Sequence, residues 1–91
     1  MTFPELRALI DTRIEAEPRL AGSVRELRDE TCVWTRNGEA VAISSAGATG
    51  ILLEYISHGH VVHSRIYAAS PLSVNRIVTT CAEHLTAYVV H

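Results

Sequence analysis

The chain has 91 residues, 47% hydrophobic and 20% charged, with a formal charge of -2. That balance fits one domain over residues 1–91 and argues against disorder. All eight basic residues are arginine, which excludes a Schiff-base lysine, a phosphate-loop lysine and a lysine general base.

Thr2-Phe3-Pro4-Glu5 predicts a helix start, with Thr2 as cap, Pro4 in the first turn and Glu5 placed to complete a capping box. Phe3, Leu6, Leu9, Ile10 and Ile14 recur at helical spacing and form one apolar stripe, leaving Arg7, Asp11, Thr12 and Glu15 on the wet side. Pro18 ends the helix near Ala16. Residues 18–30 read less sharply. Leu20, Val24 and Leu27 fit a second helical piece with Ser23 and Glu26 as its capping box, and Gly22 argues against it.

Thr31–Arg36 is rich in β-formers, and Asn37-Gly38 after it is a strong hairpin signal. A two-residue turn there pairs Arg36 with Glu39, Trp34 with Val41 and Cys32 with Ile43. The last four face the core, and Val33, Thr35, Ala40 and Ala42 face away. The stretch from Ser44 to Gly50 faintly suggests a phosphate cradle. It has no Lys and precedes a strand, so a plain interstrand loop is the expectation.

His58-Gly59 predicts a second hairpin over Ile51–Tyr67. Unbroken counting from that turn sets Tyr55 opposite Val62, Glu54 opposite His63 and Leu53 opposite Ser64. One face then reads Ile51, Leu53, Tyr55, Val62 and Ile66, a core face. The other reads Leu52, Glu54, Ile56, Val61, His63, Arg65 and Tyr67, a mixture of apolar and ionisable groups. Ser70-Pro71 opens a last helix with Val74, Ile77, Val78, Cys81, Leu85 and Tyr88 as its buried stripe, running almost to His91.

These elements predict an α+β two-layer sandwich: a four-stranded antiparallel meander of two hairpins, with an N-terminal and a C-terminal helix on one face. The element order recurs in small secretion chaperones, immunity proteins and phage-encoded inhibitors, an analogy of fold alone. The other sheet face is left bare.

Charge is uneven along the chain. Residues 1–30 carry five Arg and seven Asp or Glu, and the remaining 61 residues carry six charges. So sparse a surface suggests burial against a partner. The expectation is a small non-catalytic protein-interaction module, homodimeric through the bare face, with Leu52, Glu54, Ile56, Val61, His63, Arg65 and Tyr67 as partner-binding residues. The alternative is a small enzyme or ligand-binding protein using Glu54, His63 and Arg65, since an acid and a base on facing strands can move a proton.

No metal or other cofactor is expected. His58, His60 and His63 cluster at the hairpin tip, but adjacent strand residues point to opposite faces, so His60 and His63 diverge unless the turn bends, and no Cys pair or carboxylate nearby completes a site. Cys32 and Cys81 fall on core positions, where a thiol behaves as a small hydrophobe. Arginines interleaved with carboxylates disfavour nucleic acid. The first ten residues lack a basic start followed by an apolar run, so cytoplasmic residence and no membrane partner are the expectations.

Overall fold

The computed structural model describes residues 2–86. The capping box forms as read. The Thr2 hydroxyl accepts from the Glu5 N–H, and the Glu5 carboxylate accepts from the Thr2 N–H. It opens α1 (Phe3–Glu15), which Ala16 caps before a 3-10 turn at Pro18–Leu20.

Five strands follow, not four. β1 (Val24–Arg28), β2 (Thr31–Arg36), β3 (Glu39–Ser45), β4 (Gly50–Ser57) and β5 (His60–Ala68) form one antiparallel sheet in chain order. The extra strand is β1, where helical spacing of Val24 and Leu27 suggested a helix. All five of its residues are exposed, so no burial pattern marks it as a strand. Ser70 caps a 3-10 turn at Pro71–Ser73, which leads into α2 (Val74–Leu85). Tyr88 and His91 lie outside the described residues.

Both tight turns are where the dipeptides placed them. Asn37 and Gly38 have φ of 51° and 82°, and His58 and Gly59 have φ of 49° and 85°. Two successive positive values match the right-handed twist of a hairpin. The first hairpin keeps the predicted register, with Cys32 opposite Ile43, Trp34 opposite Val41 and Arg36 opposite Glu39.

The second hairpin does not. Ser57 pairs with His60 and Ile56 with Val61, but Tyr55 then pairs with His63, skipping Val62. This β-bulge moves every later residue of β5 by one place. Glu54 faces Ser64 rather than His63, and Leu53 faces Arg65 rather than Ser64. A shift of one residue exchanges the two faces of a strand. Tyr67 is therefore buried, while Val62 and Ile66, expected in the core, are 61% and 70% exposed. The exchange places the largest side chain of β5 under the helices and gives Tyr55 a stacked partner in His63, with ring centroids 5.7 Å apart.

Leu6, Ile10 and Ile14 of α1 and Ile77, Cys81 and Leu85 of α2 pack on Val41, Ile43, Ile51 and Leu53, all essentially inaccessible. Each fully buried Leu or Ile contributes about 1.5–3 kcal/mol, an upper range because the unfolded chain is already partly compact.

Asp11 joins this layer, although its helical position suggested a wet face. Its Oδ1 accepts from Trp34 Nε1 at 2.9 Å and from Cys32 Sγ at 3.4 Å. Its Oδ2 lies 3.1 Å from Arg25 Nε and 3.9 Å from Arg7 Nε. The first two strands extend the covered face sideways and bring Asp11 under it. The buried carboxylate thus has both hydrogen bonds and charge partners, which burial requires.

Candidate functional site

The bulge divides the seven expected partner-binding residues. Leu52, Glu54 and Ile56 are half-buried on the open face of β4, and Val61 is 55% exposed opposite Ile56. His63, Arg65 and Tyr67 lie on the helix side with their partners Tyr55, Leu53 and Ile51. Tyr67 is buried there and presents nothing to a partner. Glu54 and His63 are on opposite faces, so the acid–base pair of the catalytic alternative does not exist.

The open face is apolar on its β4–β5 side. Ile66 stands opposite Leu52, and Val61 opposite Ile56, with Glu54 and Ser64 between them. Ile66 and Val61 are both exposed large hydrophobics, at 70% and 55%. Toward β1 the face turns polar, where Glu26 Oε2 meets Arg28 Nη2 at 2.9 Å.

On the helix side, β5 runs beyond the cover of α2 and leaves an open groove of about 440 Å³. Tyr55, Val62, His63 and Arg65 floor it, and Thr80, Glu83 and His84 form its wall. Most of its polar groups are already engaged. Tyr55 Oη donates to Thr80 Oγ1 at 3.0 Å, and Thr80 Oγ1 donates in turn to the Ile77 carbonyl. Burial pushes the Tyr55 phenol well above its usual range, so it stays protonated. Arg65 Nε donates to His63 Nε2 at 3.2 Å. His84 Nε2 lies 2.9 Å from the Ile56 carbonyl and 3.4 Å from Glu39 Oε2. Glu39 also accepts from Ser57 Oγ at 2.9 Å, and Arg36 Nη1 donates to the Leu85 carbonyl at 3.3 Å. These contacts fasten the end of α2 to the two hairpin tips.

Neither thiol is poised as a nucleophile. Burial pushes Cys81 up to about 12, and burial is also the main cause that raises Cys32. Both are free and buried, as their core positions implied. The expected divergence of His60 and His63 does not hold, because the bulge sets them opposite Ser57 and Tyr55 on one face of the sheet, yet among the described residues no three His, Cys, Asp or Glu side chains form a group that could hold a metal ion. No described helix is long and apolar enough to cross a membrane. Compared with protein-family models, with curated proteins and with solved structures, the chain matches none.

Proposed function

We propose that this chain is a small protein-interaction module without catalytic chemistry, and that it associates with a second copy through the β4–β5 side of its sheet. One observation carries the reading: Val61 and Ile66 stand exposed on β5 beside half-buried Ile56 and Leu52. Contiguous exposed apolar residues mark a surface that gains free energy by leaving water. The groove under α2 supports a ligand site less well, because its hydroxyls bond each other and its imidazoles already meet Arg65, the Ile56 carbonyl and Glu39.

Sedimentation over a range of concentrations tests the association. A dimer that dissociates on dilution is expected, and Ile66→Arg should leave a folded monomer. If the unmodified protein remains monomeric at high micromolar concentration, self-association is wrong.

A further inference from the structure

The geometry points to a mode of association that rests on the self-association reading above and goes beyond it. We propose that two copies join edge to edge, β5 against β5 in antiparallel, to make one continuous ten-stranded sheet.

Three observations favour the edge over the open face. The first is Glu54. It lies between Leu52 and Ile56, and among the described residues it makes no ion pair. Stacking two open faces would bury two such carboxylates in an apolar seam, which is costly. Edge pairing leaves both in water.

The second is the direction of the backbone groups. In an antiparallel ladder, residues alternate between those bonded to the neighbour and those whose N–H and C=O point away. Ala69 N–H donates to the Thr49 carbonyl at 2.8 Å. Counting from that pair puts Tyr67, Arg65 and His63 in the bonded set with Ile51, Leu53 and Tyr55. Ser64, Ile66 and Ala68 therefore aim their N–H and C=O groups off the edge. One acceptor position of the Ala68 carbonyl is taken by Ser70 N–H at 2.8 Å, and a carbonyl oxygen has a second. Unpaired outward groups on an exposed apolar strand form a template for another strand.

The third is self-complementarity. A two-fold axis normal to the sheet through Ile66 keeps all helices on one side. It sets Ile66 opposite Ile66 of the partner subunit, and Ser64 opposite Ala68 of the partner subunit. Outward groups then meet outward groups along the whole regular part of β5. Arg65, the only charged residue of Asp, Glu or Arg type on β5, falls opposite Tyr67 of the partner subunit rather than opposite itself. An axis through Ser64 would instead run Ile66 into the bulge at Val62 of the partner subunit, where the alternation is broken.

The test compares an edge variant with a face variant. Ser64→Pro removes an N–H that β4 does not use, and proline is tolerated on such an edge. It should weaken dimerisation by more than about tenfold while far-ultraviolet circular dichroism and the thermal midpoint stay close to those of the unmodified protein. Ile56→Arg, on the open face, should leave the dimer intact. Ile66→Cys should cross-link to its own mate with a short bifunctional thiol reagent, and Ile56→Cys should not. This pair decides the matter if Ser64→Pro fails to fold. Loss of the dimer in Ile56→Arg with no cross-link through Ile66→Cys overturns edge pairing but leaves self-association standing. A monomeric unmodified protein overturns both.

Discussion

The sheet has two edges, and they are built in opposite ways. β1 is five residues long and carries Arg25, Glu26 and Arg28 between exposed Val24 and Leu27. Arg25 is tied inward to Asp11, and Glu26 and Arg28 bridge each other. β5 is nine residues long, with three exposed large hydrophobics and Arg65 as its fixed charge. Short, charged edge strands resist pairing with other chains, and long apolar ones invite it. Length and charge therefore separate the two edges: three of the five β1 residues are charged, against one Arg in the nine of β5.

The largest break in that comparison should come from Asp11→Ala. Removing the carboxylate leaves Trp34 Nε1 without its acceptor and Arg25 without its anchor. Arg25, 38% exposed, can turn to water, but the buried Trp34 N–H is left unsatisfied, which costs about 1–3 kcal/mol. Chemical denaturation should show that loss, and Cys32, which shares the Asp11 oxygen, should label with thiol reagents earlier than Cys81. Equal labelling rates would mean that Asp11 holds the whole core rather than the β1 side.

A smaller effect should appear in amide hydrogen exchange. The outward N–H groups of Ser64 and Ile66 should slow as protein concentration rises through the dimerisation range. The outward amides of β1 should exchange quickly at every concentration. Protection at both edges, or at neither, would erase the contrast. The smallest effect is expected from Glu26→Ala. Its bridge to Arg28 is solvent-exposed, and water and salt screen such pairs so that they contribute little. The stability should barely move, while aggregation on standing should increase as the β1 edge loses part of its guard.

Much of this arrangement was legible in the chain, and the rest was hidden for physical reasons. Asn37-Gly38 and His58-Gly59 announced their turns because positive φ has few tolerant residues, and the first hairpin's register followed from its turn. Thr2 and Glu5 announced α1 because a capping box is local. β1 was not legible, because a strand exposed throughout has no alternation, and Val24 and Leu27 stand at a helix-like interval. The role of Asp11 was not legible either, since its partners Arg25, Cys32 and Trp34 are remote in sequence. For the site, Leu52, Glu54, Ile56 and Val61 were placed on the open face correctly. His63, Arg65 and Tyr67 were not, because the bulge at Val62 carries neither glycine nor proline to mark it.

That bulge makes the last hairpin sensitive to chain length rather than to chemistry. Many substitutions at Val62 would keep both faces of β5 as they are, because the extra position faces the open groove. Deleting any one residue between the His58-Gly59 turn and His63 would remove the offset, turn Tyr67 outward and drive Ile66 under the helices. The same deletion at Gly47 or Ala48, between β3 and β4, would shorten a loop. Length variation in this protein should therefore be tolerated ahead of β4 and refused at the start of β5, whichever residue is lost.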